Sequence, residues 1–261
     1  MSIQTHLPPT RGFPVTEFET RLDNAQRLMA EANLDALLLT TEPEVRYFTG
    51  FLTQFWQSPT RPWFLIVPRS GKPIAVIPAI GAEYMSRTWL DDVRTWPAPQ
   101  PHDDGVSLLT ETLLEVLGDH SSRCIGVPMG HESHLRMPLN DFYQVQNQLG
   151  QVAFVDATPL IQRLRVVKSE AEIAKIAYIC DRVSAAFETL PNLLTTGQSQ
   201  LEVFRIFKLE CLRQGADDVA YLVGGAEQGG YSDIISPPSD NPTQLGDLLI
   251  LDTGCLFDGY F

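Results

Sequence analysis

The sequence predicts an α/β layer over residues 1–160, followed by a helix-led α+β segment over residues 161–261. Two observations carry this. Short apolar runs bounded by Pro, Gly or charge alternate with stretches of helical spacing in the first part. Beyond residue 160 that alternation gives way to long helical patterns, and two apolar runs flank a polar loop.

The elements can be justified in order. In "VTEFETRLDNAQRLMAEANL", Phe18, Leu22, Ala25, Leu28 and Met29 recur near one face of a helix. The runs "DALLLT", "EVRYFTGF", "WFLIVP", "PIAVIP", "RCIGVP" and "VAFVDAT" read as strands. Between them, "GVSLLTETLLEVLGD" and "MPLNDFYQVQNQL" have helical spacing, so a mixed or parallel sheet is expected. Further on, Ser169 with Glu172 and Ser199 with Glu202 form capping boxes ahead of two helices. Ile173, Ile176, Cys180, Val183 and Phe187 form an apolar stripe on the first of these, which predicts the face that packs. Gly215 is placed to stop the second helix. "VAYLVGG" and "LLILDTG" read as strands, and the loop between them is long enough to suggest function or disorder. "LLILDTG" is expected to end in a turn at Asp252–Gly254, with "CLFDGYF" starting another strand.

Composition narrows the function classes. A formal charge of −13 argues against a nucleic-acid partner, which would call for surplus Lys and Arg. No apolar run approaches the roughly 20 residues of a membrane span, and the amino terminus has no signal-peptide core. Four separated cysteines without a CxxC read as reduced, mostly buried thiols, which predicts a cytoplasmic protein. "GGAEQGG" lacks the Lys-Ser/Thr of a phosphate loop and is not GxGxxG, so it reads as a flexible turn. His131 and His134 in "GHESH" have no third ligand nearby, and His102 sits in a Pro-bounded connection; all three read as surface residues. Asp252 follows four apolar residues. A buried carboxylate there would need a partner or a metal, and a turn acid capping Gly254 is the plainer alternative.

Taken together, "TEPEVRYFTGF", "RVVKSEAEIAKI" and "GDLLILDTGCLFDGYF" resemble, in order and spacing, segments of the creatinase/prolidase family of M24 metallopeptidases. The resemblance spans most of the chain. It implies a creatinase-type amino-terminal α/β domain (1–160) and part of a pita-bread α+β catalytic domain (161–261). The implied activity is metal-dependent hydrolysis of a peptide or amide C–N bond, as in Xaa-Pro aminopeptidases and dipeptidases. Two divalent ions (Mn, Co or Zn) would activate a bridging water and polarise the scissile carbonyl. By this match Asp252 is the first metal ligand, and the further Asp, His and Glu ligands are expected beyond Phe261. The 261 residues are therefore expected to be catalytically incompetent by themselves.

Family metallopeptidases often carry a histidine in the loop before the metal strand, yet no histidine lies between His134 and Phe261. Tyr231, Ser232 and Asp233 are the candidates for its oxyanion-stabilising role. In creatinase-like homodimers the amino-terminal domain reaches the partner's active site. The stretch "FLTQFWQSPTRPW" is the matching segment, with Arg61 for a substrate carboxylate and Trp56 and Phe55 as pocket walls. The alternative for that stretch is an exposed loop with a salt-bridged arginine. Two rival functions stand beside the peptidase reading: a metal-independent creatinase-like amidino or amide hydrolase, and a non-enzymatic dimerisation or binding protein.

Overall fold

A computed structural model describes residues 7–58, 60–118, 123–230 and 232–261. The chain divides into two compact units, Phe13–Val167 and a pair of segments, Met1–Gly12 with Lys168–Phe261.

The first unit carries α1 (Val15–Glu31), β1 (Ala36–Leu39), α2 (Glu42–Thr49), β2 (Phe64–Pro68), β3 (Ile74–Pro78), α3 (Ala82–Met85), β4 (Asp92–Trp96), α4 (Val106–Leu117), β5 (Cys124–Val127), α5 (Leu139–Leu149), β6 (Ala153–Asp156) and α6 (Thr158–Val166). Its strands form one mixed sheet in the order β4-β3-β2-β1-β5-β6. β2 is antiparallel to both β1 and β3, and the other neighbouring pairs are parallel. Alternation along the central strands feeds two cores. Leu37 and Leu39 of β1 pack with α1, α2 and α6, whereas Ala36 and Leu38 pack with α4 and α5. A sheet covered on both faces explains why its central strands read as continuous apolar runs. The expected division at 160/161 falls inside α6, whose Ile161 and Leu164 belong to the first unit's core.

Two elements of this unit differ from the sequence expectation. "EVRYFTGF" is helix α2 rather than a strand. Pro43 lies in its first turn, Val45, Phe48 and Thr49 are buried at helical spacing, and Gly50 closes it at φ 75°. That left-handed conformation is one that glycine adopts without a Cβ penalty. β4 went unforeseen because it is a polar edge strand. Arg94 on it is paired with Asp92 and Glu115.

The second unit carries α7 (Glu170–Thr189), α8 (Gln200–Gln214), β7 (Asp218–Gln228) and β8 (Asp247–Leu256). Both capping boxes are formed, with Ser169 and Ser199 as N-caps, and Gly215 stops α8 at φ 118°. β7 and β8 pair antiparallel. The loop joining them is stitched to the start of α8 through Gly197–Thr243, Gln200–Asn241 and Leu201–Ser239 backbone bonds.

Three expectations are corrected in this unit. α7 does not bury its predicted stripe: Ile173 and Cys180 are exposed, and Phe187, although packed against Phe207, is 40% exposed. Its buried face holds Glu172, Lys175, Tyr178, Ile179, Arg182, Ala185 and Ala186. Partners for the charges make this affordable. Lys175 Nζ donates to the Thr10 carbonyl (3.0 Å), to the Gly12 carbonyl (2.8 Å) and to Asp258. Glu172 accepts from Tyr260 Oη at 2.9 Å. The thiols divide as well: Cys211 and Cys255 are buried and Cys180 is exposed, while Cys124 on β5 of the first unit is half-buried. Finally, β8 runs straight through Asp252–Gly254, and the chain turns only at Phe257–Tyr260. A long partner strand keeps β8 extended, with Asp252 opposite Val223.

Candidate functional site

The β8 strand presents Asp252 on an exposed face, so the carboxylate is not buried as the four preceding apolar residues had suggested. Tyr221 on β7 sits opposite Gly254. A Cβ on Gly254 would lie 2.4 Å from Tyr221 Cε1, so only glycine leaves room for that ring. The ring's position lets Tyr221 Oη donate to Asp252 Oδ1 at 3.1 Å. This bond raises the Tyr221 pKa, because ionising the phenol would bring two negative charges together. Thr253 Oγ1 donates to the Tyr221 carbonyl at 3.0 Å and braces the same strand pair.

Among the described residues, no three His, Cys, Asp or Glu side chains are grouped to hold a metal ion. Asp252 is a single donor, and a dinuclear site needs several carboxylates and a histidine. These residues therefore do not by themselves fit the implied metal pair.

The other sequence candidates separate clearly. Tyr231 lies outside the described residues. Asp233 accepts from the backbone N–H of Ile235 (3.0 Å) and Ser236 (3.1 Å) and from the Ser236 hydroxyl. These bonds, the Ser236 hydroxyl first, hold its carboxyl below the usual range, so it is an acceptor rather than a proton donor at neutral pH. Ser232 donates to Glu227. His131 and His134 are exposed in a non-helical loop, as expected of surface residues.

The segment "QFWQSPTR" belongs to the first unit, whereas Asp252 belongs to the second. Phe55 is 42% exposed, and the Arg61 guanidinium lies 5.9 Å from its ring centroid. Arg61 adopts φ 63°, an uncommon conformation for a residue with a Cβ. Trp56 is 7% exposed and packs against Trp63 in the core, so it supports this loop from below rather than lining an open surface. Two residues escaped the sequence reading: Tyr221, whose signal lies in a register visible only once the strands pair, and Arg136, whose "HLRMP" context carries no motif.

A family model for the creatinase/prolidase N-terminal domain matches residues 21–167. The chain belongs to the creatinase/prolidase family. It is 26% identical over 259 residues to a probable dipeptidase PepE of Mycobacterium bovis, covering 94% of this chain and 61% of that protein. It is 28% identical over 195 residues to the agropine synthesis cyclase of Rhizobium rhizogenes, covering 71% of this chain and 46% of that one. The crystal structure of a recombinant prolidase from Thermococcus sibiricus superimposes with a TM-score of 0.78 at 18% identity, covering 95% of this chain and 63% of that one. That likeness shows the prolidase-type fold. The family chain described here thus spans less than two thirds of the length of these relatives.

Proposed function

We propose that this chain serves a Xaa-Pro peptidase-like hydrolase of C–N bonds, with a small peptide or amide as substrate. Membership of the creatinase/prolidase family, joined to the exposed carboxylate of Asp252 on β8, supports this reading. Asp252 would contribute one ligand to a divalent metal, and Tyr221 would hold its Oδ1 in place. Arg61 and Phe55 would meet the substrate, the guanidinium donating to a carboxylate and the ring packing on its apolar neighbour. Assembly as a homodimer in the cytoplasm belongs to the same proposal.

Residues 1–261 by themselves are expected not to hydrolyse a Xaa-Pro dipeptide. Purified 1–261 would be assayed with Mn²⁺ or Co²⁺ beside an Asp252→Ala control. Equal background rates are expected, and a rate above the control would overturn the expectation. In a catalytically complete form of the protein, Arg61→Ala should raise KM for a dipeptide with a free carboxylate while leaving kcat nearly unchanged. An unchanged KM would remove Arg61 from the substrate site.

A second reading is metal-independent C–N chemistry on the same scaffold; the family's loop histidine has no counterpart between His134 and Phe261, so the standard Xaa-Pro site is not reproduced in either reading. Activity that survives exhaustive chelation would select this reading.

A further inference from the structure

Among the described residues, the polar contacts internal to the loop carrying Phe55 and Arg61 are short-range, including Phe55 N to Thr53 Oγ1 at 3.2 Å and Thr60 N to Ser58 Oγ at 3.4 Å. Ser58 N donates to the Phe55 carbonyl at 3.1 Å, and the Ser58 and Thr60 hydroxyls lie 3.1 Å apart. The indole Nε1 atoms of Trp56 and Trp63 are buried without an acceptor among the described residues, so these rings hold the loop by their faces and not by an indole hydrogen bond. The loop's polar anchor comes from a distant segment.

Arg136 follows β5 by a short connection, and its backbone N–H donates at 2.9 Å to Oγ1 of Thr40, a buried residue just after β1. From that fixed point its guanidinium reaches back to the loop. Nη1 donates to the Arg61 carbonyl at 3.2 Å. Nη2 lies 3.3 Å from the Trp56 carbonyl, 2.5 Å from that of Ser58 and 3.4 Å from that of Thr60. Its Cζ lies 5.2 Å from the Trp56 ring centroid. The nearby carboxyl is Glu42, whose pKa is raised chiefly by burial although Arg46 and Arg136 both favour its ionised form. Arg136 therefore meets its hydrogen-bond acceptors in backbone carbonyls, and it spans the loop from Trp56 to Arg61.

We propose that Arg136 is the positioning residue for the Phe55–Arg61 pair. Its two Nη atoms bring four carbonyls together, with the two N–H groups of Nη2 shared among those of Trp56, Ser58 and Thr60 and Nη1 on that of Arg61, a spread over two nitrogens that the single nitrogen of a lysine ammonium would not reproduce. The Arg61 carbonyl is among the four, at the residue whose positive φ would otherwise relax. Such backbone conformations persist only where their surroundings over-determine them. The role in positioning substrate contacts rests on the functional reading above, whereas the clamp itself does not.

Chymotrypsin tests the clamp on the 261-residue chain, because cleavage after Phe55 or Trp56 requires the loop to open. Arg136→Ala should speed nicking at these two bonds by at least about tenfold. About 20 mM guanidinium, far below denaturing concentrations, should restore much of the protection by refilling the vacated place, and equal ammonium should not. An unchanged rate in Arg136→Ala would overturn the proposal. So would acceleration spread over the whole 13–167 unit with no guanidinium rescue. If Arg136→Ala does not fold, Arg136→Lys carries the test. It should nick faster than wild type, and wild-type resistance would overturn the four-carbonyl argument. Failure of the substrate reading appears instead as an unchanged KM in Arg61→Ala and leaves these nicking rates as they are. The two failures are therefore distinguishable.

Discussion

Replacing Lys175 by Met keeps most of the side chain's volume and removes its charge. Lys175 is 1% exposed, and its Nζ is shared among the Thr10 and Gly12 carbonyls and Asp258. The substitution removes the cation bonded to the Asp258 carboxylate, which keeps the Gly12 N–H at 2.8 Å and a weaker attraction to Arg11. Breaking a buried pair in this way costs about 3–5 kcal/mol. The Asp258 side chain is 12% exposed, so some water can reach it, and the lower end, about 3 kcal/mol, is expected. At a urea slope of about 2 kcal/mol/M this moves the unfolding midpoint of the second unit by about 1.5 M. All four tryptophans lie in the first unit, so circular dichroism at the helical band should shift while tryptophan fluorescence reports the first unit separately. Lys175→Met with Asp258→Asn should recover part of the loss, because both charges then leave together. A loss below about 1 kcal/mol in Lys175→Met would refute the claim that a buried charged face holds α7.

Other consequences are open to direct measurement. Ser199→Ala should cost about 1 kcal/mol and speed amide exchange in the first turn of α8, since Ser199 Oγ accepts from Glu202 N at 3.2 Å. Asp217 is held below its ordinary pKa, first by the Arg11 side chain, which donates to both of its oxygens. The stability it contributes is therefore present above the unfolded carboxyl value of about 3.9 and lost as pH falls through the lower folded value. Arg11→Met should flatten this acid dependence in pH-resolved unfolding, modestly because the arginine is half exposed. Asp252→Asn should lower the alkaline titration midpoint of Tyr221, read by ultraviolet difference against Tyr221→Phe, because a neutral amide replaces the charged carboxylate acceptor that raises it.

Much of the fold was legible in local pattern. The apolar runs of β1, β2, β3, β5 and β6, the spacing of α1, α4 and α5, and both capping boxes are properties of a few neighbouring residues, and the structure follows them. α2 reads as a strand because Val45, Tyr47, Phe48 and Thr49 crowd β-branched and aromatic residues into a short run, and only Pro43 and Gly50 are helix punctuation. The candidate site was legible only in part. Asp252 and the Phe55–Arg61 loop could be singled out, but not Tyr221 or Arg136, whose roles depend on cross-strand register and on segments far apart in the chain.

The sequence by itself determined most of the stretches that become helix or strand, with α2 and β4 as exceptions, where two helices start, and which family the chain belongs to. Only tertiary structure decided which face of α7 is buried. Helical periodicity favours the isoleucine stripe, but Lys175 can be buried because the Thr10 and Gly12 carbonyls and Asp258 arrive to pair with it. Those partners lie 165, 163 and 83 residues away, a distance over which no local pattern carries information. The same holds for Asp252: its place on an extended, exposed strand depends on β7 lying alongside, because pairing along β7 keeps β8 straight where its own residues suggested a turn.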